Sequence, residues 1–258
     1  MLRLNRFFDL YVTTFQAYKS LCSLNLYFKP RNLLNHIEYV FGDYDFKGKR
    51  VLDVGGGAGL LRFWSLPNGA SSSAVLLEPE LEGCTLGIIS SIQINAHALR
   101  VEDKFVHLRT TIQDYLASHS GITAFDFIVY ANSVNHINEH TVENFFLEPI
   151  FRNFHIDHFR QLAKITTVTN TRLFLTDYSC YNFFDNLPPT NLLEPAIEWI
   201  KHLSPSDWMQ VLEEVSFSNF VMKWFSPNSP SWISPFVSNK IVNYLTFSFF
   251  SLSFSYLG

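Results

Sequence analysis

Apolar and aromatic positions recur at helical spacing through residues 5 to 28, and Pro30 closes that segment. A second, shorter amphipathic stretch, RNLLNHIEYVF at 31–41, predicts one more helix before Gly42 and a polar run to Lys49 turn the chain. The pattern then changes to short apolar runs that read as buried strands. They end at Val51 and Leu52 and continue at 74–77, 105–110, 125–130 (FDFIVY), 171–175 and 216–225. Helical stretches separate them. One runs over about 60–66 and ends at Pro67-Asn68-Gly69, one spans 81–98, and one begins near Asp114 and passes Leu116; RNFHIDHFRQLAK at 152–164 reads as a solvated helix. From Tyr181 the composition becomes loop-like (YNFFDNLPPTNLLEP), and two short helices follow around a break at Ser204-Pro205. The segment SPNSPSWISP carries enough proline and serine to exclude regular structure. The tail from Ile241 to Leu257 is apolar enough to raise a membrane helix. Asn243 and the serines at 248, 251, 253 and 255, alternating with Leu252, Phe254 and Tyr256, have instead the period of a strand. Strands alternating with helices predict an α/β chain built on a mostly parallel sheet.

The stretch that organises this pattern is VLDVGGGAGLL, residues 51 to 61. Asp53 stands at the carboxyl edge of a strand, and Gly55, Gly57 and Gly59 make a turn stripped of side chains before Leu60 and Leu61 resume a helix face. Glycine is required where φ is positive or where a Cβ would meet a ligand lying on the backbone. Tight strand-to-helix turns also arise for structural reasons alone, and the same shape serves a dinucleotide or S-adenosylmethionine (SAM). Asp53 favours the latter. A carboxylate this close would repel a pyrophosphate, whereas SAM brings an ammonium and a sulfonium.

Asp53-Val54-Gly55-Gly56-Gly57-Ala58-Gly59 resembles the first motif of the class I SAM-dependent methyltransferases, an acid, one residue, then G-x-G-x-G. The resemblance implies a Rossmann-like sheet of seven strands, mostly parallel, whose last strand runs antiparallel beside the fifth, with helical caps at the amino terminus and before strand six. Domain bounds follow: 1–45 as cap, 46–180 as SAM-binding core, 181–215 as substrate cap and 216–258 as the final strands. Glu78, at the end of the second strand and followed by Pro79, takes the place of the acid that accepts the ribose hydroxyls; Glu80 and Glu82 stand nearby as alternatives. Thr111-Ile112-Gln113-Asp114 occupies the adenine position, where many relatives have Gly-Asp in place of Thr111-Ile112, so the contact falls to Gln113, to Asp114 or to backbone at Ile112. Asn132 belongs to the same cofactor set. On the acceptor side the candidates are Asn135, Asp177, Tyr178 and Trp199 for binding, and His136, His202 and Glu198 for chemistry. His136 follows the fourth strand, close to the cofactor. His202 stands four residues after Glu198, on one helix face, where a carboxylate can orient and charge an imidazole as a general base. Each of these residues also has a bland reading, as a helix-end histidine or a surface pair.

The rest of the composition narrows the partners. With 258 residues and 47% hydrophobic content the chain suits one α/β domain with a modest addition. A net charge of −4 with 19 Lys and Arg leaves no electrostatic footprint for a phosphate backbone, so no nucleic acid is expected. Cys22, Cys84 and Cys180 lack C-x-x-C spacing and suit free thiols in a reducing cytoplasm. Asp9 interrupts the first apolar run, and neither a signal peptide nor a membrane partner is expected. His136 with His140, and His155 with His158, have metal-ligand spacing but no convincing third ligand, so no metal is expected. Apolar surface on the caps serves either core or interface, which leaves a homodimer open. The leading reading is a methyltransferase that carries a methyl group from SAM to an oxygen or nitrogen of a small molecule, in specialised metabolism. The alternatives are a protein or nucleic-acid acceptor, or a regulatory protein that keeps the fold without turnover.

Overall fold

The computed structural model describes residues 37, 39–66, 68–71, 75–80, 87–104, 106–118, 124–166, 171–181, 183, 198–225, 234–245 and 249–256. The amino-terminal cap with Phe15, Tyr18 and Tyr27, the alternative acid Glu82, Cys22 and Cys84, and the loop half of the substrate cap lie outside the described residues. Seven strands form one sheet in the order β3-β2-β1-β4-β5-β7-β6. The chain divides into two compact units, Met1–Thr111 and Ile112–Gly258.

The first unit carries β1 (Val51–Val54), α1 (Leu60–Ser65), β2 (Val75–Leu77), α2 (Ile88–Leu99) and β3 (Val106–Leu108). β1 pairs parallel with β2, Asp53 opposite Leu76, and β2 pairs parallel with β3. Every residue of β1 and β2 is buried, as expected of parallel strands covered on both faces. Phe41, Phe46 and Trp64 pack edge-on and tilted, with ring centres 5.2 to 6.1 Å apart, and anchor α1 to the segment before β1.

The second unit carries α3 (Ile112–Ser118), β4 (Phe127–Ala131), α4 (Glu139–Glu143), α5 (Pro149–Ala163), β5 (Arg172–Tyr178), α6 (Pro205–Glu213), β6 (Phe217–Phe225), α7 (Ser234–Val237), α8 (Lys240–Tyr244) and β7 (Phe249–Tyr256). β4 and β5 are parallel; β7 runs antiparallel to β5 and to β6, as the resemblance implies. The break at Ser204-Pro205 is where α6 begins. Ser204 accepts the Asp207 N–H and Asp207 accepts the Ser204 N–H in a reciprocal cap, with proline in the first turn.

Two expectations are corrected. The 152–164 stretch is not a solvated helix: α5 buries His155, Ile156, His158, Phe159 and Leu162, which recur at helical spacing. Its two histidines lent a polar look to what is an inward face. The strand expected along the tail from Ile241 starts only at Phe249, because Asn239 accepts the Val242 N–H and caps α8 over 240–244. Within β7 the period of two holds two buried serines, Ser251 and Ser253, among apolar neighbours. Among the described residues no helix is long and apolar enough to cross a membrane.

Candidate functional site

In the first unit the glycine turn is bound to the end of β2. The Gly55 N–H donates to the Leu77 carbonyl at 2.9 Å, and the Gly57 N–H donates to Glu78 Oε2 at 2.8 Å. Gly55, Gly57 and Gly59 all have positive φ, at 62°, 53° and 80°. The space over Gly57 is open: a Cβ there would meet only Ile88 Cδ1, at 3.7 Å. Glu78 is 4% exposed, and its Oε1 accepts the Glu80 N–H at 3.4 Å. Glu80 instead turns to Arg109, 3.4 Å away at the surface, and Pro79 between them is half-buried. The two acids thus separate, and only Glu78 is wired to the glycine turn.

Asp53 is fully buried, and neither of its carboxylate oxygens has a hydrogen-bond partner. It lies under the turn against Gly56. Burial raises its carboxyl to about 7, with Arg62 lowering it and Glu78 raising it further. Arg62, on α1, is equally buried; burial lowers its guanidinium to about 10 and Asp53 raises it. Orphaned carboxylate oxygens under a turn with free space above it suit a ligand that brings a cation and lies on bare backbone. The residues present therefore fit SAM. Loss of the Glu78 carboxylate removes charged hydrogen bonds, so Glu78→Ala is expected to weaken SAM binding by about 1.5–3 kcal/mol. Calorimetric titration measures it, and an unchanged dissociation constant would remove Glu78 from the ligand.

In the second unit, Ile112 opens α3 and is buried, and the Gln113 side-chain amide donates to the Ile137 carbonyl at 2.8 Å. Asn132 follows β4 with φ 55°, its N–H bonded to the Thr176 carbonyl at 2.8 Å. Asn135 is buried with Oδ1 unpartnered. The histidine candidates change partners relative to the sequence reading. His202 Nδ1 lies 2.9 Å from Asp177 Oδ1, not against Glu198, because residues 199–201 form a single 3-10 turn that ends before His202. Glu198 pairs with Lys201, which also holds Glu139 at 2.8 Å. His136 is 2.7 Å from Glu139, three residues further along the chain.

Asp177 is fully buried, and its Oδ1 also accepts the Tyr178 N–H at 2.8 Å, which fixes the carboxylate that faces His202. The Tyr178 ring sits edge-on to Trp199, His202 and Phe249, with centres 6.2, 5.7 and 5.1 Å away. With Nδ1 facing a carboxylate, the imidazole carries its proton on Nδ1 and presents Nε2 as the basic nitrogen. Asp177, Tyr178, Trp199 and His202 are thus one cluster, whereas Glu198 and His136 belong to a separate charged chain with Glu139 and Lys201.

The paired histidines have other side-chain partners. His155 bonds Thr141 Oγ1 at 3.0 Å, His158 bonds the Tyr130 hydroxyl at 2.8 Å, and His140 bonds Asn144 at 3.1 Å. Among the described residues no group of three metal-ligating side chains stands together.

Two residues escaped the sequence reading. Gly56 was an unassigned position of G-x-G-x-G, yet a Cβ there would lie 2.2 Å from Leu76 Cδ1 and 2.5 Å from Asp53 Oδ2. Its place in the middle of three consecutive glycines was the available signal. Arg62 was hidden in the apolar run LLRFW, where a lone cation on a buried helix face was the hint.

No protein-family model matches the chain. It is 40% identical over 79 residues to the ubiquinone biosynthesis O-methyltransferase of Xanthomonas oryzae pv. oryzae, a match that covers 29% of this chain and 33% of the relative. The chain thus spans about a third of the length of the curated relatives it matches. A SAM-dependent methyltransferase from Archaeoglobus fulgidus superposes with a TM-score of 0.53 at 14% identity, over 87% of this chain and 93% of that one. One from Mesorhizobium loti gives 0.55 at 12% identity, over 86% and 97%. With the strand order β3-β2-β1-β4-β5-β7-β6 and an antiparallel seventh strand, the chain has the Rossmann-like fold of the class I S-adenosylmethionine-dependent methyltransferases.

Proposed function

We propose that this chain binds SAM and transfers its methyl group to a hydroxyl oxygen of a small molecule. The observation that carries the reading is the glycine turn locked to Glu78 through the Gly57 N–H, with open backbone above it and the Asp53 carboxylate beneath. Gly55, Gly57 and Gly59 leave room for the ligand against backbone, Glu78 and Pro79 stand at the ribose, and Asp53 acts on the ligand's cations through its charge. Ile112, Gln113 and Asn132 complete the cofactor set by resemblance. The likeness to an O-methyltransferase over 79 residues supports oxygen as the acceptor atom.

When bound, SAM supplies the methyl group as part of a sulfonium, already an electrophile. What remains for the protein is to place the acceptor in line and to remove its proton. His202 suits the second task. Asp177 holds Nδ1–H, so Nε2 is the nitrogen that takes the hydroxyl proton, and the imidazolium formed is stabilised by the buried carboxylate. Tyr178 and Trp199 give that histidine an apolar wall suited to an aromatic acceptor. His136, paired with Glu139 and 59% exposed, is less suited to the role.

His202→Ala is expected to lower turnover at least about tenfold with SAM affinity intact, and raising the pH is expected to restore part of it as the acceptor ionises by itself. Asp177→Asn is expected to lower turnover as well, since an amide cannot hold the same tautomer. Steady-state kinetics against a panel of phenolic and aliphatic hydroxyl acceptors measures both. Unchanged turnover in His202→Ala across that pH range would make the histidine structural and leave catalysis to positioning.

A further inference from the structure

A chain of charges outside the His202–Asp177 pair joins the start of α4 to the residue before His202. Glu139 has both carboxylate oxygens engaged: Oε1 lies 2.7 Å from His136 Nδ1, and Oε2 lies 2.8 Å from the Lys201 ammonium, which also pairs with Glu198. The 3-10 turn 199–201 is closed by the Lys201 N–H on the Glu198 carbonyl at 2.9 Å and the His202 N–H on the Trp199 carbonyl at 3.1 Å. So short a turn does not fix its own position. Downstream, Leu203 is buried and Ser204 is held in the cap of α6. Within the turn, Trp199 lies edge-on to Tyr178 at 6.2 Å, and the Lys201 ammonium reaches across to α4. The ring contact is apolar and sets depth, whereas a charge-assisted hydrogen bond has direction.

We propose that Lys201 is a positioning residue for His202: its ammonium, gripped by Glu139, ties the turn before His202 to α4 and keeps the imidazole in register with Asp177. This rests on the reading of His202 as the base. The imidazole then has two tethers, since Asp177 holds Nδ1 at 2.9 Å and Lys201 holds the backbone one residue earlier. The side chains of Lys201 and Glu139 are 25% and 40% exposed, so their pairing costs little desolvation, and one such pair alone would be weak. The grip gains from its neighbours. His136 fixes Glu139 through the second oxygen, and Glu198 bonds the same ammonium from within the turn. Without the ammonium the turn is free to shift, and the imidazole loses its fixed bond to Asp177. No single tautomer then presents Nε2 as the basic nitrogen. A shift of about 1 Å in a reacting group can cost on the order of a hundredfold in rate.

The experiment reads the imidazole directly, by long-range proton–nitrogen NMR of the full chain with isotope-labelled histidine, at about pH 8, above the ordinary imidazole range. The His202 signals are those lost in His202→Ala. Wild type is expected to show the Nδ1–H tautomer alone, and Lys201→Met a mixture of the two. Glu139→Ala is expected to give the same mixture, because Glu198 belongs to the turn and cannot tether it to α4. Turnover with the phenolic acceptor that wild type uses fastest is expected to fall about tenfold in Lys201→Met with SAM affinity intact. Lys201→Arg, which keeps the charge, is expected to restore both tautomer and turnover. In the His202→Ala background Lys201→Met is expected to cost nothing further. A purely structural lysine would repeat its full loss in that background, which would overturn the proposal. So would a single Nδ1–H tautomer in Lys201→Met, or mixed tautomers already in wild type. Glu139→Ala decides where Lys201→Met does not fold. Unchanged turnover in His202→Ala contradicts the base reading, whereas the tautomer measurement needs neither SAM nor acceptor and tests the tether by itself.

Discussion

Gly56→Ala is expected to cost about 2–3 kcal/mol of stability and to lower SAM affinity at least about a hundredfold. The added Cβ would lie 2.2 Å from Leu76 Cδ1, 2.5 Å from Asp53 Oδ2 and 2.6 Å from Asp53 Cγ. Neither neighbour has room to withdraw, because Leu76 and Asp53 are both fully buried on paired strands. The turn must therefore lift, and it carries with it the Gly57 N–H that Glu78 holds. Gly57→Ala makes the contrast. Its Cβ meets only Ile88 at 3.7 Å, and the positive φ costs about 1 kcal/mol, so the protein is expected to stay folded while a methyl group enters the space proposed for SAM. Denaturant unfolding and SAM titration of the two variants separate the effects. A Gly56→Ala protein with wild-type stability and affinity would show that the turn is loosely packed and does not order the site.

Acid is expected to destabilise the fold well above the range in which carboxylates titrate. His155 and His158 are buried, and burial lowers them to about 4 and about 3, with His155 adding repulsion to His158. The unfolded chain binds a proton on each below about 6.5, whereas the folded chain refuses both. Stability is thus complete above that value and is lost as pH falls, by about 4 kcal/mol between pH 7 and 5 for the pair. Asp53 opposes this. Its folded carboxyl, raised to about 7, takes up a proton that the unfolded chain does not bind until about 3.8, and this returns about 2 kcal/mol over the same interval. The net loss is therefore about 2 kcal/mol in wild type and about 4 kcal/mol in Asp53→Asn. Urea unfolding at pH 7, 6 and 5 measures both. Stability that is flat in that window, or equal slopes in the two proteins, would contradict the assignment of these protons.

The sequence was most legible where local chemistry and fold agree. The glycine turn, the acid before it, the strand that ends in Glu78 and the capped break at Ser204-Pro205 all lie in the structure where pattern and turn chemistry placed them. Legibility failed where a residue's partner is distant in the chain. Glu198 and His202 are at helical spacing, but a 3-10 turn ends between them, and Asp177, 25 residues away, takes the imidazole. α5 looked polar because its inward face carries two histidines whose partners, Thr141 and Tyr130, lie on other elements. The burial of Arg62 was not legible either, since it depends on the depth at which α1 packs.

Titration of SAM into wild-type protein, with NAD as the comparison ligand, tests whether the Asp53–Gly59 turn with Glu78 is a SAM site. Saturable binding of SAM with thermal stabilisation, none of NAD, and about tenfold or greater weakening in Glu78→Ala is the expected result. A folded wild-type protein that gives no heat and no stabilisation with SAM, or that binds NAD in its place, would contradict it.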